Sequence, residues 1–171
     1  MNESTNDTEN KRQDKIVLGN LETIKHIHQV RQYLYTFIQE LDERAKKHDA
    51  SKLEEPEASK LAEFNDALAK TKYADENGNV TEEYEKLLED VKPALEHHYA
   101  KNRHHPQHWP DGVNDMTLID LVEMLCDWKA ATQRNKSGNI RRSVEANAKR
   151  FGMSEQLTRI FENTVREMFE E

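Results

Sequence analysis

The stretch IKHIHQVRQYLYTFIQELDERA, residues 24–45, decides the fold class of this chain. Its apolar side chains return every three or four residues, which is the pattern of one face of an amphipathic α-helix. These side chains are Ile24, Ile27, Val30, Leu34, Phe37, Ile38, Leu41 and Ala45. The stretch therefore predicts a helix that buries one apolar face.

The same periodicity continues along the chain. It predicts further helices over residues 57–72, 81–101, 116–134, 140–150 and 155–169. Thr81 and Ser154 are placed to cap two of these helices, and Pro93 predicts a kink or a break near residue 92. The sequence ADENGN, residues 74–79, predicts a turn. Since no alternating pattern of useful length occurs, the predicted fold is all-α with about six helices.

The composition indicates one domain with a polar tail. A chain of 171 residues is long enough for a single domain with its own core. Residues 1–15 carry one apolar side chain, that of Met1, so we expect them to form a disordered tail. The helical domain then covers residues 16–171.

Charge and cysteine content exclude some classes of function. The net charge of −8 argues against non-specific binding of nucleic acids, which requires a basic surface. Cys126 is the one cysteine, so no internal disulfide is possible and a reducing cytoplasm is the expected compartment. Its apolar neighbours predict a small buried side chain. The chain contains no apolar run of about 18 residues, so we expect no contact with a membrane.

Histidines concentrate in one short stretch, which indicates a metal site. The stretch HHYAKNRHHPQHW, residues 97–109, holds five of the eight histidines. Adjacent histidines on a helix point about 100° apart, so His97 and His98 should not share one ion. His98 lies three residues beyond Leu95 and continues an apolar stripe, which predicts that His98 faces inward.

Three more histidines of this stretch lie in the loop after the helix. His104 and His105 can both turn toward one centre because a loop does not fix their directions. His108 stands beside Trp109, and we expect it to pack or to lie on the surface.

A second candidate motif is HDASKL, residues 48–53. The adjacent His48 and Asp49 offer a nitrogen and a carboxylate to a divalent ion, and Asp49 has oxygens enough to bridge two ions. Lys52, four residues beyond His48, suits a phosphate oxygen. The alternative interpretation is a polar end of a helix without a ligand.

A third candidate motif is DLVEMLCDW, residues 120–128, which carries Asp120, Glu123 and Asp127 on one helical face. Acidic groups beside a buried stripe need a metal or a buried cation, unless water solvates them. Asp127 has the most apolar surroundings and is our candidate ligand. Glu123, one turn earlier, is placed to orient a ligand histidine.

The order of these motifs resembles that of the HD-domain superfamily of metal-dependent phosphohydrolases. HDASKL is similar to the HDIGK-type motif of the cyclic-dinucleotide phosphodiesterases in this superfamily, and RHHPQHWPDG and LCDWKAA resemble later segments of that branch. The resemblance covers residues 22–135. The motifs KHI, HDxSK, EHHY…NxHHP and DLVEMxCDW also resemble those of an uncharacterised family from phages and bacteria.

The resemblance implies a ligand set and a single HD-domain-like helical bundle. The residues that match the metal ligands of the superfamily are His48, Asp49, His98, His104, His105 and Asp127. Lys52 matches a lysine that faces phosphate, so Lys52 and Asp49 are the implied catalytic residues. The glutamate of the HHE motif and the GYP tripeptide are absent here, which argues against hydrolysis of cyclic dinucleotides.

His26 matches the first histidine of the superfamily, because Val30 follows it by four positions. On a straight helix, His26 and His48 would lie about 33 Å apart. They could share a site only if the chain reversed near residues 39–42. By helical phase His26 is a better candidate than His28.

The resemblance implies a phosphohydrolase that holds one or two divalent ions of manganese, iron, cobalt or zinc. The expected substrate is a small phosphoester, with nucleotides as the first candidates. Two alternatives remain open: a di-iron oxygenase, since some HD-domain proteins have this activity, and a metal-stabilised helical module of phage origin without catalytic activity. The helix predicted over residues 155–169 could also mediate a homodimer.

Overall fold

The computed structural model describes residues 3–73, 80–134 and 136–169, and this part of the chain is all-α, as predicted. It contains no β-strand. The α-helices are α1 (Glu3–Lys47), α2 (Glu57–Leu68), α3 (Glu82–Lys101), α4 (Leu118–Thr132), α5 (Ile140–Arg150) and α6 (Glu155–Met168). Short 3₁₀ helices cover Ala50–Leu53, Pro106–His108 and Gly112–Asp115. The turn predicted at residues 74–79 lies outside the described residues.

The chain divides into two compact units, residues 1–43 and 44–171. The first unit consists of most of α1. The structure differs here from the expected tail, because α1 begins at Glu3 and residues 3–15 are helical. These residues include neither glycine nor proline, and glutamate, lysine, arginine and glutamine are good helix formers, so the helix continues through polar sequence.

The apolar core of the second unit lies among α4, α5 and α6. Its buried residues are Val113, Leu121, Met124, Leu125, Trp128, Ile140, Val144, Phe161 and Val165. The ring of Trp128 meets that of Phe161 edge to face, with 5.7 Å between the centroids. This packing fixes α4, whose acidic residues belong to the candidate site.

Side-chain caps begin four of the helices. Thr81 and Ser154 cap α3 and α6, as predicted, and Asn139 caps α5. Thr117 and Asp120 form a capping box at the start of α4, in which each side chain binds the backbone N–H of the other residue. α2 ends at Leu68, four residues before the predicted end.

α2 and α3 pack against each other and support the histidine-rich segment. Val91 and Ala94 of α3 are buried, and the 3₁₀ helix Ala50–Leu53 contacts both α2 and α3. The sequence predicted a kink or a break near residue 92; α3 runs through Pro93, so the break does not occur. Proline removes one backbone hydrogen bond, and packing of α3 on α2 outweighs that loss.

The prediction that Cys126 is buried is wrong. α4 buries the face that carries Leu121, Leu125 and Trp128, whereas Cys126 lies on another face with the exposed Val122. The apolar residues of this part of α4 occupy several faces of the helix, and the core covers only one of these faces. In the described part of the chain, no helix combines the length and the apolar character that a membrane span requires.

We expect Phe161→Ala to destabilise the second unit by about 3–5 kcal/mol, because it leaves a cavity beside Trp128. Chemical denaturation followed by circular dichroism measures this loss. The matched control is Ile160→Ala at the exposed neighbouring position, with an expected change within about 0.5 kcal/mol. Equal losses in the two variants would contradict the assignment of the core.

Candidate metal centre

The end of α1 places His48 and Asp49. α1 ends at Lys47, and Asp49 has a φ of 55°, in the left-handed region. Aspartate adopts this conformation more readily than most residues other than glycine and asparagine. The left-handed residue ends the helix and leads the chain into the 3₁₀ helix Ala50–Leu53. His48 and Asp49 therefore stand at a fixed turn.

The last turn of α3 supplies the buried His98. His98 is 2% exposed, whereas the side chain of the adjacent His97 is one-third exposed. The structure confirms the prediction that His98 is the one that faces inward. His98 faces inward because it extends the buried stripe of Val91 and Ala94, and α2 covers this stripe.

The loop after α3 brings His104 and His105 to His98. His104 is 1% exposed, and its ring lies 4.1 Å from that of His105 between centroids. The Nε2 atoms of His98 and His105 are 2.9 Å apart. His108 takes another direction, as expected: its Nδ1 bonds the carbonyl of Tyr99 and its ring packs on Trp109.

A first group of ligand atoms comes from Asp49, His98, His104 and His105, and these atoms all lie within 4.8 Å of one another. Asp49 Oδ1 is 3.4 Å from His98 Nε2 and 3.5 Å from His104 Nε2. Ligand atoms about 2.1 Å from one tetrahedral ion would be about 3.4 Å apart. The spacing of the group therefore fits a single transition-metal ion.

A second group comes from His48, Asp49 and Asp127. His48 Nε2 lies 3.5 Å from Asp49 Oδ2 and 3.8 Å from Asp127 Oδ1. Asp49 thus directs one oxygen to each group, an arrangement that suits a carboxylate shared by two ions. The predicted ligands of the second unit, from His48 to Asp127, all lie in these two groups.

Two carboxylates orient three of the histidines. His48 Nδ1 and His104 Nδ1 lie 3.0 and 3.1 Å from Glu123 Oε1, and His98 Nδ1 lies 2.8 Å from Glu57 Oε2. An ionised carboxylate only accepts hydrogen bonds, so each Nδ1 is the donor. Neutral His98 then directs the lone pair of Nε2 into the centre, as ligand histidines do, and the neutral form of His104 would do the same.

Two buried acceptors meet at the middle of the first group. Within the described residues, Asp49 Oδ1 and His104 Nε2 have no hydrogen-bond partner, although both atoms are buried. A buried polar atom without a partner costs free energy, and two acceptors 3.5 Å apart cannot satisfy each other. A divalent cation between them would satisfy both, so the donors fit a metal ion.

The histidines of the centre have shifted pKa values. The nearby carboxylate of Asp127 and the hydrogen bond to Glu123 raise the pKa of His48 from 6.5 to about 10. Burial, assisted by the neighbouring His104, lowers the pKa of His105 to about 3, and burial also lowers that of His98. At neutral pH, His98 and His105 are therefore uncharged, which is the form that binds a metal.

Lys52 lies at the edge of the centre, as predicted. Its Nζ donates to Asp49 Oδ2 at 2.6 Å, and its side chain is 37% exposed. Burial raises the pKa of Asp49, but the hydrogen bond from Lys52 outweighs this effect and the net shift is downward. Asp49 therefore remains a carboxylate at neutral pH.

Asp120 is buried but is not in either ligand group. Arg44 donates to Asp120 Oδ1 at 2.8 Å and to Glu123 Oε2 at 3.2 Å, and Arg103 also donates to Asp120. Burial opposes ionisation of Asp120, but hydrogen bonds from Arg103, Thr117 and Arg44 lower its pKa to about 2. The partly exposed guanidinium groups of Arg44 and Arg103 thus compensate the charge of Asp120.

Sequence reasoning missed the carboxylate that orients His98. Glu57 is completely buried, and its oxygens also bind His97 Nδ1 and Ser51 Oγ, at 2.7 and 3.0 Å. Asn102 donates to Ser51 Oγ at 2.8 Å. Ser51 lies inside the HDxSK motif and Asn102 inside the NxHHP motif, so the sequence contained a signal for these two residues. No motif includes Glu57.

His26 has no place in the groups described above. It lies in α1, in the first unit, with an exposed side chain. α1 continues through residues 39–42, where a reversal of the chain was required. Among the described residues, no group of possible ligands includes His26, and its role stays a prediction.

Comparison with known proteins identifies a family. A family model described as a family of unknown function, DUF5662, matches residues 18–171. The chain belongs to this family. No curated protein and no solved structure matches the chain. The match to DUF5662 includes every residue of the candidate centre, and the resemblance to the HD-domain superfamily stays a prediction.

We expect this DUF5662 protein to retain one or two equivalents of manganese, iron, cobalt or zinc after dialysis, and Asp49→Asn to lose them. Asparagine keeps the size of the side chain and tolerates the left-handed backbone, but it removes the charge shared by both groups. Elemental analysis of protein purified without a metal-binding tag measures the content. Glu96→Gln, an exposed acid near His97, is the control. Equal metal content in Asp49→Asn and wild type would contradict the assignment.

We also expect metal binding at His48 to release about one proton near pH 7 and to tighten as pH rises. The raised pKa of about 10 means that His48 is protonated at pH 7 without metal, so an ion must displace that proton. Calorimetry in buffers of different ionisation enthalpy counts the protons. The same count in His48→Gln would show that the proton comes from elsewhere, and His108→Gln should behave as wild type.

Proposed function

We propose that this protein is a metal-dependent phosphohydrolase that acts on a small phosphoester, with nucleotides as the first substrates to test. The observation that carries this proposal is the pair of buried acceptors, Asp49 Oδ1 and His104 Nε2, without a hydrogen-bond partner in the described residues. A metal ion at this site could activate water, and Lys52 at its edge could bind a phosphate group; together they support an activity on phosphate esters.

The residues that would hold metal ions follow from the two ligand groups. Asp49, His98, His104 and His105 would hold one ion, and His48, Asp49 and Asp127 would hold a second. A bound divalent ion would supply a Lewis acid that activates water near neutral pH. The mixture of imidazole and carboxylate ligands suits manganese, iron, cobalt or zinc.

Lys52 would bind and neutralise the phosphoryl group. The net charge of −8 repels anions, so a phosphorylated substrate requires local positive charge at the centre. The ammonium group of Lys52 is partly exposed and already contacts the shared ligand Asp49. From this position it can stabilise the charge that develops on the phosphoryl oxygens in the transition state.

Glu57 and Glu123 would keep the ligand histidines in position. Each accepts from imidazole Nδ1 atoms, and this fixes the rings so that Nε2 remains directed at the ions. Arg44 in turn holds Glu123 through its other oxygen. These contacts prepare the geometry before substrate binds, which limits reorganisation during the reaction.

A substrate screen with the metal-loaded protein tests the proposal. We expect hydrolysis of at least one class among p-nitrophenyl phosphate, bis-p-nitrophenyl phosphate and the nucleotides. Lys52→Gln should retain its metal and lose about 10²–10³-fold in kcat/KM, because it removes charge that stabilises the transition state. Lys101→Gln, an exposed lysine at the end of α3, is the control.

Two results would argue against a phosphohydrolase. One is the absence of phosphoester hydrolysis with each of the four metals, and the other is full activity in Lys52→Gln. A coloured, iron-loaded protein that consumes oxygen instead would direct attention to oxygenase chemistry on the same ligands.

A further inference from the structure

Large apolar side chains of α1 are exposed over about half of the length of the helix. Twelve large apolar side chains between residues 16 and 38 are each 41–63% exposed. Seven of them share one face of the helix: Ile16, Val17, Ile24, Ile27, Leu34, Tyr35 and Ile38. The exposed area of this face is on the order of 700 Å², above the roughly 300–600 Å² of the largest apolar patch on a typical monomer. Burial of this face would therefore supply a large free energy of association.

A regular seam runs along this face. Positions 17, 20, 24, 27, 31, 34, 38, 41 and 45 alternate steps of three and four residues, the spacing of a coiled coil. Seven of these positions carry Val, Ile, Leu or Ala, and the two polar members are Asn20 and Arg31. We call these nine positions the α1 seam.

We propose that the α1 seam pairs with the α1 seam of a second copy of this chain, in antiparallel orientation. One register places Asn20 opposite the partner's Arg31, so that the two polar positions meet. The same register pairs Ile24 with the partner's Ile27 and Val17 with the partner's Leu34. The seam consists of two sets of positions that alternate along the helix: 17, 24, 31, 38 and 45 form one set, and 20, 27, 34 and 41 form the other. Each of the three pairs joins a residue of one set to a residue of the other, as an antiparallel coiled coil requires.

A parallel pair would be less stable. It would place Arg31 against the partner's Arg31, which brings two like charges together in an apolar seam. The antiparallel register allows the guanidinium to donate to the side-chain oxygen of the partner's Asn20. Polar residues inside a seam are known to specify register and orientation in this way.

The size of the face also suits a second copy. About 700 Å² from each chain gives a total of about 1,400 Å², which lies within the roughly 1,200–2,000 Å² of specific, stable interfaces. Between residues 17 and 34 the seam is complementary to itself by a two-fold rotation, as the interface of a symmetric dimer must be. This inference rests on α1 alone and is independent of the proposed metal chemistry.

Sedimentation equilibrium of the full chain tests the association. We expect a mass of twice the chain mass of 20.1 kDa at micromolar concentration. Leu34→Glu, opposite the partner's Val17 in the seam, should raise the dissociation constant by at least 100-fold. Gln29→Glu adds the same charge on the other side of α1 and should remain dimeric. Circular dichroism verifies that the variants keep their helical content.

A monomeric wild-type protein at 100 µM, or a dimeric Leu34→Glu with intact helices, would overturn the proposal. In the first case a different protein, or another part of this chain, must cover the face.

Disulfide formation tests the orientation in chains that also carry Cys126→Ser, because the native cysteine is exposed. A mixture of Asn20→Cys and Arg31→Cys chains should form the mixed disulfide. Preferential linking of Asn20→Cys chains to each other would show parallel pairing and overturn the proposed register.

Discussion

Glu123 holds two imidazoles through a single carboxylate oxygen, and the candidate centre depends on this contact. Its Oε1 accepts from His48, directly after α1, and from His104, in the loop after α3, while Arg44 holds Oε2. Two distant segments of the second unit, the end of α1 and the loop after α3, therefore converge on one residue of α4. Since the core residues of α4 pack against α5 and α6, the apolar core and the histidines are parts of one arrangement.

The centre combines two opposite electrostatic conditions. Asp49, Glu57, Glu123 and Asp127 all have pKa values below their usual range despite burial, because cations or imidazole hydrogen bonds stabilise each carboxylate. His98 and His105 are instead kept neutral by burial. Ionised carboxylates beside neutral imidazoles are the protonation states that a transition-metal ion needs.

Local signals in the sequence predicted much of this structure. The α5 helix has its predicted bounds, and the caps at Thr81 and Ser154 were recognised because capping involves neighbours only. The inward direction of His98 followed from the apolar stripe. Glu57 could not be recognised, since its burial depends on how α2 meets α3. The exposure of Cys126 was missed for the same reason: the packing of other helices decides which apolar face is covered.

The left-handed backbone of Asp49 restricts which sequences this protein can adopt. At most positions a ligand can be exchanged without altering the course of the chain, but here one residue both ends α1 and supplies a shared carboxylate. Valine or isoleucine would clash with the backbone, glycine or asparagine would preserve the turn without the negative charge, and glutamate would extend too far. Conformation and chemistry together thus leave aspartate as the one genetically encoded residue that meets both demands at position 49.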